Sequence, residues 1–290
     1  MTEWRDWPSW RRIVASAHDQ VGSAATVGAD AARAVGELLE TAIDVAQGAF
    51  PAAVFDAVDL LSANQQAMAP ILNLRNEVYL HAENGPEAVM AAVSNLERRM
   101  RESWRGIALT GVSVIPAGGT VLIHSASSTV RTVLEVARDQ VDFTVVCTRA
   151  MPIGEGIEMA AELRAGGFEV ELIDDDVAIE VLPGADVVLA GADAIGPIQV
   201  INKVGTGVLA GAAKATGIPF YLIAATDKIL PAVLFQAALQ RRGREDLSEA
   251  ISLDVFTGVI TENGVMNGAA VAEYSQSLAV ARDLTSEAQT

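Results

Sequence analysis

Cysteine is almost missing from the 290-residue chain, with Cys147 standing alone. One thiol excludes an internal disulfide framework and supplies no cysteine-based metal cluster. Histidine is equally sparse, limited to His18, His81 and His124, so no dedicated zinc site and no cofactor are expected. Lysine is confined to Lys203, Lys214 and Lys228. No apolar run is long enough to span a bilayer, and Met1-Thr2-Glu3-Trp4-Arg5-Asp6 lacks the apolar region of a signal peptide. A soluble, cytoplasmic protein with no membrane partner is therefore expected. The net charge of -17 lacks the basic stripe that direct nucleic-acid binding needs.

What is present is a chain that is 51% hydrophobic, enough for one large domain or two ordinary ones. Abundant Asp, Glu and Arg beside so little Lys suits a high-salt cytoplasm, where a carboxylate surface stays hydrated and self-repulsion is screened. A GC-rich genome would leave the same mark, and the halophilic origin is the preferred one. An acidic protein that binds an anion must concentrate its positive groups locally, which draws the eye to Lys203.

Residues 1–105 read as a helical N-terminal domain. Val27, Ala31, Ala34, Val35, Leu38, Leu39 and Ile43 recur at helical spacing, and Pro86 suits the first position of a helix ending near Trp104. From Gly106 the pattern changes to short β-branched runs alternating with helices, as in βαβ units. Strands are expected over 120–124, 142–147, 169–173, 185–191 and 220–225, with helices over 128–139, 156–165 and 207–216. The fold class is α/β, with a Rossmann-like, mostly parallel sheet in a C-terminal domain at 106–290. Residues 240–249 read as a polar insertion or flap, and the tail from Glu273 as a helix with a disordered end.

Ligand residues in such sheets lie on loops beyond the carboxyl ends of the strands. Asp193 follows the apolar run Val187-Val188-Leu189-Ala190, and Asn202-Lys203 sits a short loop further on. A carboxylate and a scarce ammonium flanking one loop suit a small phosphorylated ligand; equally, Asp193 could cap a turn and Lys203 be a solvated charge. His124-Ser125-Ala126-Ser127-Ser128-Thr129 precedes a helix, where hydroxyls and backbone N–H groups cradle anions. One N-cap needs only one of these residues, so an anion cradle is preferred. Arg149 could clamp a phosphate or form a surface ion pair. Asp174-Asp175-Asp176 reads as a solvated turn and helix cap, and Cys147 as a small buried hydrophobe.

Taken together, Gly191-Ala192-Asp193-Ala194-Ile195, Asn202-Lys203-Val204-Gly205-Thr206 and Gly217-Ile218-Pro219-Phe220-Tyr221 resemble one superfamily. It holds the alpha, beta and delta subunits of translation initiation factor 2B, ribose-1,5-bisphosphate isomerase and methylthioribose-1-phosphate isomerase. Val121–Ser125, Met68-Ala69-Pro70 with Asn73, and Val259–Gly264 support the resemblance, which spans roughly residues 20 to 270. It implies a helical domain on a Rossmann-like domain, and a homodimer or higher homo-oligomer through the C-terminal domain. For the isomerases it implies a cysteine–aspartate pair moving a proton between adjacent sugar carbons. The aspartate falls on Asp193, and the sugar or phosphate ligands fall on Asn202 and Lys203. The cysteine position holds Ser125, and Met151 stands where many relatives have arginine, with Arg149 two residues away. The isomerases' N-terminal phosphate loop is only echoed by His18-Asp19-Gln20-Val21-Gly22-Ser23.

Two functions follow. One is a sugar-phosphate isomerase with catalytic Asp193 and Ser125 and with His124, Ser127, Ser128, Thr129, Arg149, Asn202 and Lys203 binding substrate. The other is a non-catalytic, factor-2B-like regulatory protein that senses sugar phosphates or nucleotides through the same pocket.

Overall fold

The computed structural model describes residues 4–19, 22–45, 50–241 and 247–287. The N-terminal part is built from helices α1 (Pro8–Ala17), α2 (Ala24–Val45), α3 (Phe50–Asn64), α4 (Ala69–His81) and α5 (Pro86–Val112). Their apolar stripes meet in one core containing Ile13, Val35, Leu38, Leu39, Leu61, Leu74 and Leu96. The helical spacing of the α2 residues is the origin of that core, since Ala31, Ala34, Val35, Leu38 and Leu39 are all buried.

The rest of the chain runs β1 (Gly119–His124), α6 (Ser128–Arg138), β2 (Phe143–Thr148), α7 (Glu155–Ala165), β3 (Val170–Ile173), α8 (Ala178–Val181) and β4 (Val187–Ala190). It continues through β5 (Ala194–Ile195), β6 (Gln199–Lys203), α9 (Thr206–Thr216), β7 (Phe220–Ile223), α10 (Ala232–Arg241) and β8 (Ser248–Ser252). Strands β9 (Gly258–Thr261) and β10 (Gly264–Met266) and helices α11 (Gly268–Ser277) and α12 (Arg282–Glu287) complete the order. Seven strands form one sheet in the order β10-β9-β7-β4-β1-β2-β3, parallel except for β10.

The strands read as unbroken apolar runs because both faces are covered. Val121, Ile123, Val187 and Leu189 pack with Val130, Val133, Met159 and Leu163 of α6 and α7. Their neighbours Leu122, Val188 and Ala190 face the other way, toward Leu209, Ala210 and Ala213 of α9. The period of two along each strand thus splits into two cores. The α/β class and the mostly parallel sheet expected from the sequence are present.

Three expectations need correction. Helix α5 does not stop near Trp104 but continues to Val112, and Ile107, Ala108 and Gly111 are buried. The apparent break at Gly106 is a packing site: a Cβ there would lie 2.5 Å from the Glu262 carbonyl oxygen in the β9–β10 turn. Asn202 and Lys203 do not sit in a loop but end β6, which joins β5 and β8 in a separate antiparallel sheet. That strand was hidden because it is short and ends in an amide and an ammonium. Residues 248 and 249 of the expected flap belong to β8, Gln240 and Arg241 to α10, and 242–246 lie outside the described residues. The tail carries α11 and α12, and its last three residues also lie outside them. Among the described residues, no helix is long and apolar enough to cross a membrane.

Gly106 and Gly211 give opposite expectations. Gly106→Ala forces its methyl group onto the Glu262 backbone and should destabilise the protein by about 1–3 kcal/mol. Gly211, exposed on α9 with nothing within 4 Å of a Cβ, should gain about 0.5–1 kcal/mol as alanine. Denaturant unfolding checks both; equal effects of the same sign would contradict the packing described.

Candidate functional site

The chain leaves β1 toward β2 and β3 on one side, then returns to β4 on the other. The carboxyl ends of β1 and β4 are therefore the topological switch point, where a crevice opens because successive connections diverge. A cavity of about 510 Å³ lies there. It is lined by the β1–α6 loop, Gly191 and Asp193 after β4, Asn202 and Lys203 of β6, the start of α7, and Gly22–Thr26 at the start of α2.

Ser125 holds a left-handed backbone, φ 67°, as the chain turns from β1 toward α6. Ser127 is the N-cap of α6, with its hydroxyl accepting from the Val130 N–H at 3.3 Å. Gly191 is required beside it: a Cβ there would come within 2.7 Å of Ser127 Oγ. Ser128 Oγ lies 2.7 Å from Ser23 Oγ, so the N-termini of α2 and α6 meet at a pair of hydroxyls. Ser23 also accepts from the Thr26 N–H, as a helix cap does.

His124 borders the cavity, but both ring nitrogens have protein partners. Nε2 lies 3.0 Å from the Val204 carbonyl, which can only accept, so this nitrogen carries the proton. Nδ1 is then the acceptor for the Thr148 hydroxyl at 2.8 Å. Burial pushes the imidazole pKa down, which keeps the ring neutral.

Asp193 is half-buried at the cavity wall, and burial raises its carboxyl above the ordinary carboxylate range. Lys228 opposes that shift, Glu155 adds to it, and Lys203 opposes it. The buried Lys228 ammonium donates to the Ala192 carbonyl at 2.7 Å, directly beside Asp193. Behind it Asp227 is raised to about 6, chiefly by burial. Asp193 thus fronts a line of buried ionisable groups.

Lys203, 7% exposed, is paired with Glu155, its Nζ 2.8 and 3.0 Å from the two carboxylate oxygens. Asn202 donates to Thr206 Oγ1 at 3.0 Å. The cavity therefore brings together Asp193, Ser125, His124, Ser127, Ser128, Asn202 and Lys203. Thr129 and Arg149 are not among its lining residues. Arg149 is turned into an ion pair with Asp174. Asp175 accepts the Ala150 and Met151 N–H groups at 2.7 and 2.6 Å, which ties down the same loop. Asp174 and Asp175 thus clamp the neighbouring loop, while Asp174 and Asp176 stay exposed as in a solvated turn. Met151 is half exposed outside the cavity, so neither it nor Arg149 supplies a cation there.

Sequence reading missed Arg131, Glu155, Glu158 and Glu162, which also line the cavity. Glu155, Glu158 and Glu162 recur at helical i, i+3 and i+7 spacing, a signal that they share one face of α7. Ser23 lines it too, whereas Gln20 and Val21 of the faint N-terminal loop lie outside the described residues. Among the described residues, no group of His, Cys, Asp and Glu is arranged to hold a metal ion.

A helical layer docked on a doubly wound sheet, with a polar crevice at the switch point, defines a Rossmann-like α/β protein. Comparison with known proteins sharpens the class. The chain belongs to the Initiation factor 2 subunit family, which it matches over residues 24–250. It is 32% identical over 211 residues to a translation initiation factor eIF-2B subunit 2-like protein of Pyrococcus abyssi, covering 69% of this chain and 76% of that one. It is 26% identical over 248 residues to the ribose 1,5-bisphosphate isomerase of Methanocaldococcus jannaschii, covering 84% and 80%. The crystal structure of the Pyrococcus horikoshii translation initiation factor eIF-2B shares the fold, with a TM-score of 0.76 at 24% identity over 89% of this chain and 96% of that one.

Cys147 takes no part in the cavity. It is buried in β2, its thiol lies 3.4 Å from the Gly156 carbonyl, and burial pushes its pKa up to about 12. A disulfide reagent at pH 8 should leave the native protein unlabelled and titrate one thiol after denaturation. Rapid native labelling would contradict this burial.

Proposed function

We propose that the protein is an aldose–ketose isomerase acting on a phosphorylated pentose, with Asp193 moving the proton and Ser125 at the position of the family thiol. The observation that carries this reading is the placement of Asp193 and Ser125 in one cavity with the Ser23, Ser127 and Ser128 hydroxyls. Helix N-termini attract a phosphate without needing lysines, and the opposite wall holds a carboxylate whose pKa burial raises above the ordinary range, which makes it a stronger base than a free carboxylate.

The reaction requires removal of a proton from the carbon beside the carbonyl and its return to the neighbouring carbon. Ionised Asp193 accepts that proton, and the protonated carboxyl returns it. Ser125 holds or relays the proton on the sugar oxygens, a slower task for a hydroxyl than for a thiol. His124 stays outside this chemistry because its ring is locked neutral between Thr148 and Val204. Asn202 and Lys203 orient the sugar, and Lys228 stabilises the ionised form of Asp193. Thr129 and Arg149 leave the set of proposed ligands. The reading includes a cytoplasmic homodimer formed through the sheet-bearing half, where Ile198 and Val208 are exposed.

The test is turnover of ribose 5-phosphate and ribose 1,5-bisphosphate. Asp193→Asn should lose roughly 100- to 10,000-fold in kcat/KM. Ser125→Cys should gain about tenfold, since a thiol releases its proton more readily. With a base of raised pKa, kcat/KM should climb with pH through a midpoint above the ordinary carboxylate range. Lys228→Met should move that midpoint higher still. Ligand-induced stabilisation without conversion by any variant would instead identify a sensor of sugar phosphates or nucleotides.

A further inference from the structure

The cavity is built for an anion at its hydroxyl corner, yet its lining residues carry more carboxylates than cations. Lys203 and Arg131 face Asp193, Glu155, Glu158 and Glu162. Both cations are already engaged by one helix. Lys203 is held by Glu155 at 2.8 Å, and Arg131 is paired with Glu162. Arg131 has a second, looser partner in Glu135 at 3.7 Å. The two α7 glutamates stand seven positions apart on the same face of the helix, with Glu158 between them.

We propose that Glu155 and Glu162 are specificity residues: they occupy Lys203 and Arg131 as resident counter-anions and set the site for a singly phosphorylated sugar. This rests on the sugar-phosphate reading above. One phosphate is received at the junction of α2 and α6, where Ser23, Ser127 and Ser128 supply hydroxyls and the helix ends supply N–H groups. A second phosphate needs a cation of its own. The two within reach are satisfied, and it would face the displaced carboxylates at close range in a partly desolvated cavity, where like charges repel strongly. The same pairing explains how a nearly lysine-free chain keeps Lys203 buried without an uncompensated charge. A neutral glutamine at 155 preserves the shape and the start of α7 while freeing the ammonium.

The experiment is calorimetric titration of the full chain and of Glu155→Gln and Glu162→Gln with ribose 5-phosphate and ribose 1,5-bisphosphate. Inorganic phosphate and pyrophosphate are titrated in parallel as sugar-free probes. The wild type should bind the monophosphate of each pair more tightly. Each variant should gain about tenfold for the doubly phosphorylated probe and less than about threefold for the single one. Glu162 is half exposed, so its variant keeps the test open if Glu155→Gln disturbs folding. Wild-type preference for the doubly phosphorylated probes, or equal gains for both members of each pair, overturns the proposal. A selective gain for pyrophosphate while neither sugar binds any protein upholds the charge rule and removes the sugar-phosphate reading instead.

Discussion

The site depends on how helix α4 is fastened to the sheet. The first N–H groups of a helix have no partner within it, and the Ala69 N–H finds one outside, in the Asp193 carbonyl at 3.0 Å. One turn later, the Asn73 amide donates to the carbonyls of Asp227 and Ile229 at 2.7 and 3.1 Å, bracketing Lys228. Asn76 donates to Ala279 at 2.9 Å and accepts from the Ala281 N–H at 3.0 Å. These bonds fix the backbone on both sides of the buried line from Asp193 to Asp227. Together with the Asp193 N–H bond to the Ile201 carbonyl at 3.0 Å, they give the carboxylate a defined place in the cavity.

Charge is the second constraint. In a chain with net charge -17, the proposed anion site relies on geometry more than on cations. Helices α2 and α6 converge with their N-termini and capping hydroxyls, while the few cations nearby are held in ion pairs. Burial then does the tuning: it raises Asp193, lowers His124 and pushes Cys147 out of reach of thiolate chemistry. Of the three groups a reader of the sequence would reach for as acid, base or nucleophile, Asp193 stands at the cavity wall, His124 has protein partners on both ring nitrogens, and Cys147 is buried away from the cavity.

Much of this was legible in the residues. Apolar runs bounded by glycine and proline marked the parallel strands, and the Gly-Ala-Asp after Val187–Ala190 marked the crevice. Met68-Ala69-Pro70 with Asn73 belongs to the α4 fastening. What stayed hidden was mostly long-range. Nothing local shows that Asp174 captures Arg149, that Glu155 holds Lys203 from 48 positions away, or that β6 finds its partner in β8. Gly106 misled because a glycine inside a helix reads as a break until the turn packed against it is seen.

The proposed function places a phosphorylated sugar in one cavity, at the meeting of the β1–α6 loop with Asp193 and the start of α2. Hydrogen–deuterium exchange with and without ribose 5-phosphate tests it most directly. Ligand should slow exchange of amides at 22–27, 125–131 and 202–206 together. Protection confined to other segments, or no change at saturating ligand, would contradict that placement.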